Sequence, residues 1–392
     1  MKEDFFKHQG QTTPHPLAIE ISHAEGSYIY DTSGKKMLDF VAGVSANSLG
    51  HKHPKVNDAI KKQLDSYTHV MVYGEFIQQP QLELCKALAN TLPEKLSSVY
   101  LVNSGTEATE GALKLAKRFT GKSEIIAAKN SYHGNTQGAM SVCGAEQQNR
   151  AFRPLIPGVK FIEFNNEIDL AKITTKTAGV ILETIQGGAG FIEPKNDYLT
   201  KVKQRCKEVG ALLILDEIQT GVGRTGKFWG FENYNVIPDI IIAGKGLGGG
   251  MPIGAFIASF EVMNCLKENP KLGHITTFGG HPVIASAALA TVTEITETNL
   301  IKETLRKEKL IRTKFKNHPA IKEIRGRGLM LALLVESPEI ASKIILNCLD
   351  KGVILFWLLF EGSAIRITPP LTISDKEINE GCDLILAELD KF

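Results

Sequence analysis

Lys245 stands in the run Ile241-Ile-Ala-Gly-Lys-Gly-Leu-Gly-Gly-Gly250, where glycines crowd the end of an apolar strand. Upstream, Leu212-Leu-Ile-Leu-Asp216 ends a second apolar strand on a carboxylate. A lysine amine condenses with an aldehyde to a Schiff base, and a carboxylate nearby can hold a ring nitrogen protonated. Taken alone, Lys245 also reads as a solvated loop lysine. An acid at a strand end is costly to bury unless it is paired, and a protonated pyridine nitrogen would pair it.

Two further segments supply what such chemistry needs. Val99-Tyr-Leu-Val-Asn-Ser-Gly-Thr106 runs from a strand into the start of a helix. Free N–H groups and the positive helix end make that junction an anion site, with the Ser104 and Thr106 hydroxyls beside it. Ser104 and Glu107 also read as a capping box, which needs no ligand. Asn130-Ser-Tyr-His-Gly-Asn135 is a polar loop whose Tyr132 can stack on a flat ring or pack as ordinary loop aromatic. Ile218, one alternation past Asp216, can face the other side of that ring. Lysine, strand-end acid and anion cup together are the protein's half of pyridoxal phosphate chemistry.

Two glycine motifs point elsewhere and fail on context. Gly221-Val-Gly-Arg-Thr-Gly-Lys227 matches a phosphate-binding P-loop, but Phe228 stands where a Mg²⁺-binding hydroxyl is required. Gly244 to Gly249 fits G-x-G-x-x-G after a strand, yet the chain runs on through Met251-Pro252 into another strand-like run. A dinucleotide site requires a helix there.

The elements that position these residues are short apolar runs alternating with amphipathic helices. Strands are expected at Val99–Val102, Ile125–Ala128, Lys160–Phe164, Ala178–Glu183, Leu212–Ile218 and Ile240–Ala243, with helices at Thr106–Phe119 and Tyr198–Glu208. That alternation predicts an α/β fold with a mostly parallel central sheet, which binds ligands beyond the carboxyl ends of its strands. From Pro282 the pattern becomes one helical tract to about Phe315. Strands follow at Leu329–Val335, Val353–Phe356 and Ala364–Thr368, and a helix closes the chain near Lys376–Asp390. A large domain over 50–281 is expected, with a smaller α+β domain built from 1–49 and 282–392.

The 392 residues carry a net charge of +2 with 22 % charged residues, which is no nucleic-acid footprint. Six scattered cysteines show no metal-ligand spacing and fit a reducing compartment. The longest apolar run, Val353 to Phe360, is too short to span a membrane, and the charged start MKEDFFKHQG is no secretory signal. A cytoplasmic protein is expected, with no membrane, nucleic-acid or metal partner.

Together these segments resemble the class III pyridoxal-phosphate aminotransferases of the ornithine and acetylornithine type. The similarity runs from Leu38-Asp-Phe-Val-Ala-Gly43 and Gly50-His-Lys-His-Pro54 through Leu215-Asp-Glu-Ile-Gln-Thr-Gly-Val-Gly-Arg224 to Ala364-Ile-Arg-Ile-Thr-Pro-Pro370. The resemblance implies fold type I and a ping-pong amino transfer between an amino donor and a 2-oxo acid. It assigns Lys245 as the Schiff-base lysine and Asp216 as the partner of the pyridine nitrogen. Gln219 would sit near the cofactor's phenolic oxygen, Tyr132 and Ile218 would sandwich the ring, and Ser104, Gly105 and Thr106 would cup the phosphate. Thr277 would complete the partner subunit's phosphate cup, which implies a homodimer. Arg366 would hold the substrate carboxylate, with Asn135 and Thr276 as further substrate-side candidates.

Two positions depart from that pattern. Ornithine-type members carry an arginine where this chain has Asn135. They carry a glutamate, which pairs with the carboxylate-binding arginine, where this chain has Gly188. The changes predict altered specificity, with weakened use of 2-oxoglutarate. A mutase, racemase or decarboxylase on the same scaffold is the nearest alternative, and a nucleotide-binding dehydrogenase the alternative of another class. Val44, Tyr73 and Trp357 are pocket-lining candidates that read equally as core or surface.

Overall fold

The computed structural model describes residues 1–71 and 74–392, so Tyr73 lies outside the described residues. Near the N-terminus, β1 (Ile21–Glu25), β2 (Tyr28–Asp31) and β3 (Lys36–Asp39) form an antiparallel meander. The central sheet contains β4 (Ser98–Val102), β5 (Glu124–Ala128), β6 (Val159–Ile162), β7 (Thr177–Glu183), β8 (Leu212–Asp216), β9 (Ile240–Ala243) and β10 (Gly254–Ala258). Their order across the sheet is β4-β10-β9-β8-β7-β5-β6. The strands from β9 to β6 are mutually parallel, and β10 runs antiparallel to both of its neighbours.

β7 and β9 are buried along their whole length, as near-continuous aliphatic runs must be when helices cover both faces of a sheet. The Gly105–Thr120 helix lays Ala108, Ala112, Leu115 and Ala116 in the core. It approaches the sheet so closely that a Cβ on Gly111 would lie 2.3 Å from Phe256 Cε1.

Four strands complete a second antiparallel sheet: β11 (Glu323–Arg327), β12 (Met330–Leu334), β14 (Phe356–Trp357) and β15 (Ala364–Ile367). Between them in sequence, β13 (Val353–Ile354) pairs in parallel with β3 and ties the C-terminal region to the N-terminal meander. The single strand expected at Val353–Phe356 is therefore two. Leu355 is buried at the crossing, and the chain changes sheet there.

The expected helical tract from Pro282 is likewise two helices, Pro282–Glu297 and Leu300–Phe315. Thr298 is extended between them (φ −113°, ψ 179°), a break that no glycine or proline announces. The strand read as Leu212–Ile218 stops at Asp216, because Asp216 Oδ1 accepts a hydrogen bond from the Ile218 N–H at 2.9 Å and turns the chain. No helix of the described residues is long and apolar enough to cross a membrane.

Candidate active site

The carboxyl ends of β7, β8 and β9 open onto a cavity of about 360 Å³. Lys245 follows β9 immediately, in a tight turn that sets its own φ at +42°. A non-glycine residue in that region is uncommon and costs energy, and such strain gathers at functional positions. The turn also passes close to the start of the Gly105–Thr120 helix: a Cβ on Gly244 would sit 3.3 Å from Gly105 Cα. Burial pushes the Lys245 amine below the usual lysine range. The Asp216 charge opposes that shift, and the Arg366 charge adds to it.

Asp216 is buried at the end of β8 and is held from two sides. Oδ1 takes the Ile218 N–H, and Oδ2 lies 2.7 Å from His133 Nδ1. Directly across the sheet, Glu183 ends β7 in register with Asp216. Its oxygens accept the N–H groups of Tyr132 (3.1 Å) and Gly187 (2.9 Å). Burial drives the Glu183 carboxyl up to about 7, against the pull of His133 and with the push of Asp216. Neither His133 nor Glu183 is among the site residues expected from the sequence. The signal for Glu183 was an acid ending an aliphatic strand, as at Asp216.

Arg366 reaches the cavity from β15. It is buried, and two of its N–H positions, Nε and Nη1, have no partner among the described residues. Nη2 touches Trp357 O at 3.5 Å, and burial lowers the guanidinium to about 10.

Of the other expected site residues, Gly105, Thr106, Tyr132, Ile218 and Gln219 line the same cavity. Gly105 and Ile218 pack so tightly that a Cβ on Gly105 would meet Ile218 Cδ1 at 2.7 Å. The Thr106 hydroxyl lies 2.9 Å from that of Thr136, and Gln219 Nε2 donates to Ser45 Oγ at 3.3 Å. Ser45 belongs to a turn in which Ala42, Gly43, Val44 and Ser45 all have positive φ. Val44 and Trp357 line the cavity as well.

Four expected residues are not part of this wall. Ser104 caps the helix, its hydroxyl accepting the Glu107 N–H at 3.3 Å, while Glu107 reaches past it to the Asn103 N–H at 2.7 Å. Asn135 is exposed. The Thr276 hydroxyl accepts from Asn103 Nδ2 and from the Gly279 N–H, both at 3.2 Å. Thr277 is exposed on the same loop.

Both glycine motifs lack the helix that a nucleotide site needs. Gly244–Gly249 forms a 3-10 turn ahead of β10, and the residues after Lys227 form another short 3-10 turn, Gly230–Tyr234.

The residues present fit pyridoxal phosphate. Burial shifts a lysine amine toward its neutral form, a buried carboxylate is fixed by its own hydrogen bonds, and a helix N-terminus opens beside them. Arg366 adds unpaired donors in the same cavity.

Comparison with known proteins agrees. The family model described as aminotransferase class-III matches residues 9–389. The chain is 38 % identical to the acetylornithine aminotransferase of Caldanaerobacter subterraneus subsp. tengcongensis, over 94 % of this chain and 93 % of that one. It is 36 % identical to the [LysW]-aminoadipate semialdehyde/glutamate semialdehyde transaminase of Sulfurisphaera tokodaii, over 92 % of both chains. The crystal structure of ornithine aminotransferase from Toxoplasma gondii ME49 superposes with a TM-score of 0.91 at 30 % identity, covering 100 % of this chain and 95 % of that one. The architecture is fold type I. This chain belongs to the class-III aminotransferases, which are pyridoxal-phosphate-dependent transaminases.

Proposed function

We propose that Lys245, Asp216 and Arg366 carry the amino transfer. The observation behind this reading is that all three line one cavity at the strand ends of the central sheet. Pyridoxal phosphate, when bound, supplies an aldehyde for exchange with amines and a protonated ring that withdraws electrons from the substrate carbon. Lys245 would hold the aldehyde at rest. The Lys245 amine, whose proton affinity burial lowers, would be the group that holds and moves a proton at the substrate carbon.

Asp216 would keep the ring nitrogen protonated, and its two hydrogen bonds hold the carboxylate in one orientation. Gly105 and Thr106 would cup the phosphate at the helix N-terminus, with Ser104 acting through its cap. Tyr132 and Ile218 would face the two sides of the ring, and Gln219 its phenolic oxygen. Arg366 would bind the substrate carboxylate in a fixed orientation, as a planar guanidinium does.

In the division into 50–281 and 1–49 with 282–392, the pairing of β13 with β3 supports the joining of 1–49 to the C-terminal region. A homodimer is supported by the loop bearing Thr277, where Ile275 and Phe278 are 47 % and 54 % exposed. Asn135 and Thr276 remain substrate-side candidates on the same grounds, since a second subunit can complete a site that they do not reach alone. The cytoplasmic reading rests on cysteines scattered along the sequence in no disulfide or metal-ligand pattern, which fit a reducing compartment.

The test of these roles is covalent. Borohydride reduction of the yellow holoenzyme followed by peptide mapping is expected to place the cofactor adduct on Lys245. An adduct on another lysine contradicts the assignment.

A further inference from the structure

The cavity around Arg366 is built for one carboxylate and an apolar remainder. Gly188, at the cavity wall, has no room for a side chain: its Cβ would lie 2.9 Å from Cδ2 and Cε2 of Phe360. Phe360 is pinned there by its own N–H, which donates to Gly188 O at 2.9 Å. Position 188 therefore supplies no acid, and Nε and Nη1 of Arg366 have no hydrogen-bond partner among the described residues.

The segment that carries Phe360 also forms the facing wall. Phe356, Trp357 and Leu359 line the cavity, with Ile185 and Val44 beside them. The Trp357 indole N–H is turned away to Ser342 Oγ at 3.0 Å, so the ring offers no donor to a ligand. Its backbone oxygen meets Arg366 Nη2, which seats the guanidinium against this wall.

The described residues of one subunit offer no free charged partner for a substrate side chain. Among the described residues that line the cavity, Lys and Arg occur only as Lys245 and Arg366, and Asn135 lies outside it. The acids are Asp216, held by His133 and Ile218, and Glu183, whose two oxygens are taken by backbone N–H groups.

We infer that the amino donor is an α-amino acid with an apolar side chain, its only carboxylate held by Arg366 and its side chain laid on Trp357 and Leu359. Among the described residues of one subunit, a dicarboxylic donor would bury a second anion with no further cation to meet it, and a donor with a remote ammonium would bury a cation with no free acid. Each methylene laid on the wall strengthens binding by about fourfold. This inference rests on the assignment of Arg366 as the carboxylate site of a transaminase.

The test follows single-turnover conversion of the holoenzyme cofactor by absorbance. The donors are L-alanine, L-methionine, L-leucine and L-phenylalanine, set against L-glutamate, L-aspartate, 4-aminobutyrate and N-acetyl-L-ornithine. Methionine, leucine or phenylalanine is expected to exceed every charged-side-chain donor at least about tenfold in second-order rate constant, within the range a pocket can discriminate. Leu359 lines the cavity and is 56 % exposed, so a longer polar side chain there can reach solvent. Leu359→Arg is expected to raise glutamate relative to methionine by about tenfold. Faster conversion by glutamate or by a remote amine, or an unchanged ratio in Leu359→Arg, overturns the inference and leaves the transaminase assignment standing. Failure of every donor to convert the cofactor overturns both.

Discussion

His133 Nδ1 lies 2.7 Å from Asp216 Oδ2, with both side chains buried. The imidazole and the Ile218 N–H between them fix both carboxylate oxygens, so Asp216 faces the cavity in one orientation. His133 touches no reacting atom in this account and acts as a positioning residue.

Replacing His133 by Phe is expected to lower kcat/KM by about 10- to 100-fold, the worth of one hydrogen bond to a buried charge. The same change should move the pH at which the bound cofactor changes absorbance. His133→Asn, which keeps a donor, should recover part of both effects. A loss of activity with an unmoved absorbance titration would make His133 merely structural.

Glu183 gives the site an ionisation within the working range. Burial first, opposed by His133 and assisted by Asp216, raises its carboxyl from the ordinary 4.5 to about 7. A raised carboxyl binds more protons folded than unfolded between those values, so stability falls as pH climbs from about 4.5 to 7 and then levels. Glu183→Gln should flatten that slope in thermal melts and remove a limb near pH 7 from the kcat/KM profile. An unchanged profile would show that Glu183 does not report on the reaction.

Much of this site is legible in the sequence. Asp216 ends an aliphatic strand and Lys245 follows another, and strand ends on a parallel sheet are where ligands bind; Arg366, inside β15 of an antiparallel sheet, was reached only through the family resemblance. The mostly parallel sheet followed from the same alternation, although nothing in Gly254–Ala258 announced that β10 would run against its neighbours. His133 was hidden because one polar residue in a polar loop carries no period. The break at Thr298 and the sheet change at Leu355 escaped because tertiary pairing imposes them without a turn residue. Asn135 and Thr277 were read as site residues, yet in one subunit they are exposed.

The acceptor should follow the same two departures. Among the described residues, Gly188 is closed by Phe360 and no acid pairs with Arg366, and no second cation lines the cavity for a distal carboxylate. Steady-state kinetics with a fixed donor should show pyruvate used at least as well as 2-oxoglutarate. A strong preference for 2-oxoglutarate would mean that another group replaces the missing arginine.

The Thr277 loop is expected to bind a second copy of the chain. Its neighbour Phe278 is 54 % exposed and lies 5.0 Å from the His69 ring. Phe278→Glu should give monomers in sedimentation velocity with weakened cofactor retention. A dimer that persists with full cofactor occupancy would place the interface elsewhere.

The most direct measurement is the exchange of the substrate α-hydrogen with solvent deuterium, followed by NMR, in the wild-type holoenzyme and in Lys245→Ala. If the Lys245 amine moves that proton, the variant should exchange about 10²- to 10⁴-fold more slowly, and added methylamine should restore part of the rate. Exchange by Lys245→Ala at the wild-type rate would contradict the account.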